Sequence, residues 1–257
     1  MIFCKTKSIL SLAVCTLAVV ALASAAFAQP APGLFELESN PNAITDHGGS
    51  GLPDDWDRLN PLRVGFTPPN PGPSHASLSV FVLDGLDSTI FTTGGSKDIS
   101  DINIYGPDTT HNWMWINGNV PDKDNLVDAY AALYNLGDTT YLFFGSDRYA
   151  NNGDAQLGFW FFKNQVTING DGTFNGVHTI GDVLLLSDFT GGGGVSTIRL
   201  FRWVGPPDAD NLVEIAPLPS SEAYAAVNST DQTSPWEFDD KFGTPGIFAS
   251  GELYEGV

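Results

Sequence analysis

The chain is 257 residues long and carries 30 acidic against 11 basic side chains, which gives a formal net charge of −19. Such a negative surface repels nucleic acid and anionic membranes, so a nucleic-acid-binding protein is excluded. An apolar share of 42% is enough to build a core, and 28 glycines with 17 prolines are typical of a loop-rich β protein.

The N-terminus has the pattern of a secretory signal peptide. Lys5 and Lys7 precede an apolar segment that runs from Ile9 to about Ala23, and small residues follow around Ala28. We therefore predict residues 1–28 as a signal peptide cleaved after Ala28, and a secreted or cell-surface location. The apolar segment is short for a membrane span and no later stretch reaches its length, so no span is predicted in the mature chain.

The mature chain, residues 29–257, is predicted to form a single domain. It contains no cysteine, because Cys4 and Cys15 both lie in the signal peptide. This composition excludes a disulfide scaffold and a thiol nucleophile.

Many short β-favouring segments follow one another along the mature chain, separated by glycine- and proline-rich turns. Strands are predicted at Leu34–Glu38, Leu62–Phe66, Ser77–Leu83, Asp84–Thr93, Val183–Ser187 and Val195–Gly205. The stretch Gly137–Asn164 contains two aromatic segments, TYLFFG and QLGFWFFK, around the polar loop SDRYANNGDA. We predict a central hairpin there.

One helix is predicted at about 123–135, where apolar residues recur at helical spacing: Leu126, Ala129, Tyr130, Leu133 and Tyr134. An aspartate caps its start and Gly137 ends it. A second short helix is predicted at Ser220–Asn228. The elements together predict an all-β fold, a jelly-roll-like β-sandwich with one short-to-medium helix.

Acidic residues gather in three loops next to predicted strand or helix ends. The candidate ligands are Asp98, Asp101, Asp122, Asp124, Asp147, Asn152 and Asp154. A sandwich that brings these loops to one edge would give the oxygen shell that Ca²⁺ prefers, so we predict a calcium site. The alternative is that these residues cap a helix, form turns or face solvent.

Catalytic motifs are weak in this sequence. The histidines His47, His75, His111 and His178 form no close metal pair, and no G-x-S-x-G motif is present. Paired carboxylates would serve glycoside hydrolysis, but with 30 acidic residues a pair is not informative. No catalytic residue is assigned.

Tryptophans offer a further possibility. Trp113 and Trp115 share one face if their segment is extended, and such a pair would make an aromatic platform for a sugar ring. Trp160 lies in the segment GFWFF and is predicted to be core.

Four segments together resemble a group of uncharacterised exported bacterial proteins, some of which are parts of larger surface or adhesin-like proteins: GGSKDISDI, VPDKDNLVDAYAALY, YLFFGSDRYANNGDAQLGFWFF and GDVLLLSDFTGGGGVSTIRLFRWVG. The resemblance spans about Leu34 to Val257. It implies an exported surface role and no catalytic residues, and it implies that such chains continue beyond a segment like GELYEGV, so that this chain is truncated at its C-terminus.

Two hypotheses about function follow. The first is a secreted or cell-surface, non-enzymatic β-sandwich module, stabilised by calcium, with a structural or adhesive role and an extracellular glycan or surface protein as partner. The second is a carbohydrate-binding or carbohydrate-degrading jelly-roll protein. Binding to a glycan array, lost on changing the two tryptophans, would favour the second.

Overall fold

In a computed structural model of the chain, antiparallel strands dominate. The structure describes residues 34, 35, 37, 54–59, 76–83, 89–91, 102, 113–190, 194–205, 211–215, 225–236, 238, 241 and 245–256. The strands are β1 (Leu78–Leu83), β2 (Thr89–Phe91), β3 (Trp115–Asn117), β4 (Leu126–Leu136), β5 (Thr139–Arg148), β6 (Ala155–Phe161), β7 (Thr167–Ile168), β8 (Phe174–Asn175), β9 (Val183–Thr190), β10 (Gly194–Trp203), β11 (Leu212–Glu214), β12 (Ala225–Val227), β13 (Gln232–Thr233), β14 (Ile247–Phe248) and β15 (Leu253–Gly256). The helical elements are α1 (Trp56–Leu59) and a 3-10 helix (Asp122–Asp124).

Two larger sheets form the body of the protein. Sheet one has the order β1-β4-β5-β15-β12, and sheet two has the order β11-β10-β9-β6. Every pairing within them is antiparallel. Three short pairs, β2-β3, β7-β8 and β13-β14, lie outside these sheets.

The space between the two sheets is filled by an inner core. Phe144 and Tyr254 of sheet one pack there against Leu157, Leu185 and Phe189 of sheet two. Because side chains alternate across a strand, the neighbours of these residues point away from the interior of the sandwich. The predicted all-β sandwich is confirmed.

The other face of sheet one is buried as well, under an outer core. Tyr130, Tyr134 and Phe143 of the sheet pack there against Phe35 and Trp56. The central strands of sheet one are therefore covered on both faces, which explains why they carry few exposed residues.

The helix predicted at 123–135 is wrong. Only Asp122–Asp124 is helical, and β4 runs from Leu126 to Leu136. The segment also has a period of two, which places Tyr130, Ala132 and Tyr134 in the outer core. Gly137 does not end a helix. With a φ of 61° it occupies the two-residue turn between β4 and β5, where a left-handed conformation suits glycine.

The central hairpin predicted within Gly137–Asn164 is also wrong. Its two aromatic segments are strands, but β5 pairs with β4 and β15 in sheet one, whereas β6 pairs with β9 in sheet two. The loop between them therefore crosses from one sheet to the other. The true hairpin of this region is β4-β5.

The remaining predicted elements divide into three groups. Strands are confirmed within Ser77–Leu83, Asp84–Thr93, Val183–Ser187 and Val195–Gly205. The helix predicted at Ser220–Asn228 is wrong for its described part, because β12 occupies Ala225–Val227. In Leu34–Glu38, Phe35 forms an isolated bridge with Asp54. The signal peptide and the strand at Leu62–Phe66 lie outside the described residues.

Candidate functional site: a buried acidic cluster

A pair of aspartates lies side by side in the outer core. Asp128 of β4 and Asp147 of β5 are register partners, and neither is exposed to solvent. The backbone N–H of Asp128 donates to Oδ1 of Asp147 at 2.9 Å, and Nε1 of Trp236 donates to Oδ2 at 3.2 Å. The negative charge of Asp128 acts directly on Asp147, so the two carboxyl groups lie close together.

Two further carboxylates, Asp55 and Glu255, are also fully buried, and their charges act on Tyr130 together with those of Asp128 and Asp147. Asp55 comes from the segment that leads into α1, and Glu255 comes from β15. We call Asp55, Asp128, Asp147 and Glu255 the acidic cluster. It joins three separate parts of the chain on one face of sheet one.

Hydrogen bonds hold the α1 segment over this face. The hydroxyl group of Tyr134 donates to Oδ2 of Asp54 at 2.9 Å, and the backbone N–H of Asp54 donates to the carbonyl of Leu34 at 2.9 Å. The Trp56 ring packs on Tyr130 with the ring centroids 4.6 Å apart. These contacts bring Asp55 to β4.

Tyr130 lies among the four carboxylates. It is buried, and its pKa is raised well above the usual value, first by burial and then by the charges of the acidic cluster. Its ring lies over Gly145, where a side chain would collide with it. The register pairs Gly145 with both Tyr130 and Glu255, so the ring crosses β5 towards β15. The hydroxyl group of Tyr130 has no hydrogen-bond partner among the described residues.

Burial makes the charge of this cluster costly. The pKa of Asp147 is raised well above its usual value, first by burial and then by the negative charge of Asp128, while the hydrogen bond from Trp236 opposes that rise. Negative charge at such a buried place is stable only where it is protonated or balanced by a cation.

Of the predicted metal ligands, only Asp147 belongs to the acidic cluster, and it lies in a strand rather than in a loop. Asp98 and Asp101 lie outside the described residues. Asn152 and Asp154 lie in the exposed loop between β5 and β6, and Asp122 and Asp124 lie in the 3-10 helix.

Lys123 of the 3-10 helix contacts the β5-β6 loop, and a second lysine contacts the 3-10 helix. The ammonium group of Lys123 donates to the carbonyl of Asp154, and that of Lys241 pairs with the carboxylate of Asp122. Among the described residues, no group of three or more His, Cys, Asp or Glu side chains is arranged to hold a metal ion. The calcium shell predicted from the loops stays a prediction.

The acidic cluster was missed from the sequence for a local reason. Asp128 lies in DAYAALY, and on the predicted helix it faces away from the apolar stripe. On a strand it instead shares a face with Tyr130 and Tyr134. The residues of this segment also alternate with a period of two, and that alternation would have predicted Asp128 on the buried face of a strand.

A buried cation lies on the opposite face of sheet one. The guanidinium of Arg148 stacks on the Phe189 ring, with Cζ 3.9 Å from the centroid, and donates to the carbonyl of Gly251. Burial lowers the pKa of Arg148 to about 10, and the charges of Glu252 and Asp124 oppose that shift. Arg148 is thus held by the inner core and the turn before β15, and not by the acidic cluster.

The predicted tryptophan platform is wrong, because Trp113 is buried. Its ring packs on Trp160, Phe162, Phe174 and His178, with centroids between 5.3 and 5.9 Å apart. Trp115 is half-buried against the same cluster, so neither ring stands free as a platform.

His178 lies inside the same aromatic cluster. Its ring stacks on Trp203 with centroids 4.0 Å apart, and Nδ1 lies 3.3 Å from Oδ2 of Asp182. Asp182 also accepts the backbone N–H groups of Lys163 and Thr179, at 2.9 and 2.8 Å. This arrangement ties the turn before β9 to the end of β6, which is a structural role.

Comparisons with protein-family models, curated proteins and solved structures give no match for this chain. The resemblance to exported bacterial surface proteins therefore stays a prediction. Among the residues that the structure describes, no helix is long and apolar enough to cross a membrane.

Proposed function

We propose that this chain is an exported, non-enzymatic β-sandwich module with a structural or adhesive role at the cell surface, stabilised by calcium at the acidic cluster. The observation that carries the proposal is the burial of Asp55, Asp128, Asp147 and Glu255 around Tyr130. The signal-like N-terminus and the acidic composition support export.

The position of the cluster favours a structural role over catalysis. Its carboxylates lie beneath Trp56 and Trp236, which are themselves buried. A glycosidase needs its two carboxylates on either side of a bond in a bound sugar, and a substrate has no access to side chains that are enclosed in this way. Carboxylates in such a place affect the stability of the folded protein.

Calcium is the cation that suits these groups. It takes six to eight hard oxygen ligands, and carboxylates are prominent among them. The four carboxylates and the buried hydroxyl group of Tyr130 supply oxygen from three parts of the chain. Support for calcium comes from this set of buried oxygen atoms. Among the described residues, the side chains do not by themselves form a complete ligand shell.

The test compares the thermal unfolding of EDTA-treated protein with and without Ca²⁺, together with calorimetric titration. A ligand present at a hundred times its Kd stabilises the folded state by about 3 kcal/mol, so we expect the melting temperature to rise by roughly 5–10 °C. Mg²⁺ should have a smaller effect, because it dehydrates reluctantly and demands a stricter geometry. Absence of both heat and thermal shift with Ca²⁺ would contradict the calcium part of the proposal.

A single variant locates the ion. Asp147→Asn removes one buried charge and keeps the side-chain shape, so the EDTA-treated variant should unfold at a higher temperature than the EDTA-treated wild type. It should also lose the response to Ca²⁺. The matched control is Asp138→Asn, which changes an exposed aspartate in the β4-β5 turn and should leave the response intact. If Asp147→Asn responds to Ca²⁺ as the wild type does, the acidic cluster is not the site.

The surface role has its own test. Protease treatment of intact cells that express the full chain should degrade it, while a cytoplasmic marker protein stays intact. Protection of the chain in intact cells, followed by degradation after lysis, would contradict a cell-surface location.

A further inference from the structure

Strand β1 forms one end of sheet one and carries an exposed apolar row. Leu78 is 67% exposed, and Val80 and Val82 are each 52% exposed. The three side chains share one face, because they alternate along the strand. Exposed apolar residues are ordinary when scattered, but three on one strand form a continuous row.

The opposite face of β1 is anchored in the protein. Phe81 stacks on Tyr130 with centroids 5.3 Å apart and meets the edge of Trp236 at 5.1 Å. The register joins β1 to β4 along its full length, from Leu78 opposite Leu133 to Leu83 opposite Asp128. The apolar row is thus presented by a strand that is fixed on one side and one face.

The strand also lacks the features that keep sheet edges apart. Its sequence, LSVFVL, has no charge, no proline and no glycine, although the chain as a whole is strongly acidic. Edge strands commonly carry lysine, proline or a bulge to prevent pairing with another chain. Among the described residues, β1 has a strand neighbour on one side only.

We propose that β1 pairs with β1 of a second copy of this chain, antiparallel and about a two-fold axis near Val80. This arrangement places Leu78 of each copy opposite Val82 of the other, and Val80 opposite itself, so the apolar row continues across both molecules. The pattern is self-complementary, as an isologous interface requires. The two copies of sheet one then form a continuous ten-stranded sheet.

The size of the contact sets its strength. One strand pair with three apolar side chains on each copy is small beside the roughly 1,200–2,000 Å² that stable interfaces bury. The dimer is therefore weak and forms only at high protein concentration, and the surface display in many copies that would supply this concentration rests on the proposed function. The pairing depends on β1 alone and not on the calcium site, so the two proposals fail independently.

Sedimentation velocity of the full chain over about 1 µM to about 1 mM tests the pairing. The wild type should shift from monomer to dimer across this range. Val80→Lys should remain monomeric, because it places two ammonium groups opposite each other on the axis, and Val80→Thr should weaken association while keeping a β-branched side chain. Circular dichroism checks that each variant is folded.

The matched control is Val213→Lys, which changes an equally exposed valine on β11, the end strand of sheet two. It should associate as the wild type does. A wild type that stays monomeric throughout would overturn the proposal. So would a folded Val80→Lys variant that dimerises like the wild type, or a Val213→Lys variant that loses association to the same extent.

Discussion

Asn228 connects β12 to the turn that precedes β15, and its removal should be strongly destabilising. Its Oδ1 accepts the backbone N–H groups of Gly251 and Leu253, at 3.0 and 2.9 Å. Its Nδ2 donates to the carbonyl groups of Ala249, Thr230 and Phe248, at 2.7, 3.0 and 3.3 Å. The side chain is 1% exposed, so water does not replace these bonds.

The cost of Asn228→Ala follows from the groups that lose their partners. The N–H of Gly251 keeps a backbone bond to the carbonyl of Asn228 at 2.8 Å, but the buried N–H of Leu253 loses its acceptor. One orphaned buried donor together with two or three lost bonds amounts to about 3 kcal/mol. With a slope of about 2 kcal/mol per molar urea, the unfolding midpoint should fall by about 1.5 M.

Urea unfolding monitored by tryptophan fluorescence measures this change. The matched control is Asn135→Ala, since Asn135 is exposed and its side chain bonds to Ser77 and Thr140 on the surface. It should change the free energy of unfolding by less than about 0.5 kcal/mol. Asn228→Asp keeps the acceptor oxygen but places a carboxylate next to carbonyl oxygens. Its loss of stability relative to the wild type should therefore shrink as the pH falls towards roughly 4, where the carboxylate gains a proton. A midpoint for Asn228→Ala equal to that of the control would refute this account.

Three further predictions concern the cores and the acidic cluster. Gly145→Ala should lower the free energy of unfolding by about 1–3 kcal/mol in urea titrations, because its new methyl group meets the Tyr130 ring and lies 2.8 Å from the carbonyl oxygen of Tyr254. Gly170→Ala, where nothing lies within 4 Å, should have little effect, and equal effects would contradict the packing argument. Trp113→Ala should cost about 3–5 kcal/mol of stability, whereas a sugar platform would lose glycan binding and keep its melting temperature. In EDTA-treated wild type, the folded protein binds a proton at Asp147 more tightly than the unfolded chain does, since the pKa is raised. The free energy of unfolding should therefore fall as the pH rises from 3.8, the usual pKa of an aspartate, through the raised pKa of Asp147 in the folded protein. The same pH profile for Asp147→Asn would count against this prediction.

The strands of this protein were predictable where one local pattern dominates. Ser77–Leu83 alternates in hydrophobicity, and Val183–Ser187 is a short apolar run bounded by turn residues. Both segments are strands because a pleated backbone is the conformation that buries such patterns. The all-β fold class follows from the number of such segments and from the glycines between them.

The error at β4 arose because its sequence satisfies two periods at once. Tyr130 and Tyr134 are four residues apart, which fits a helix, and with Ala132 they also fit an alternating strand. The neighbouring strand decided between them, since β5 follows after a turn of only two residues. That turn, Gly137-Asp138 between two β-favouring segments, was the local signal of a hairpin.

The acidic cluster was not predictable from local pattern. Asp55, Asp128 and Glu255 are far apart in sequence and come together through the strand order of sheet one and the position of α1. The prediction of a β5-β6 hairpin also worked against finding the acidic cluster, because it placed Asp147 in a loop between two paired strands. The segment instead crosses between sheets, and Asp147 lies on the buried face of β5.

The position of β15 has a consequence for the order of folding. It is the strand that joins β5 to β12, yet β6 to β14 separate it from β5 along the chain, and Arg148 and Gly251 are 103 positions apart. Contacts of such high order form late and slowly, because a long chain segment must first be closed. Until residues 253–256 have emerged from the ribosome, β1, β4 and β5 form an incomplete sheet. A chain in which sheet one is completed only when β15 is available stays incompletely folded for longer than one built from neighbouring hairpins.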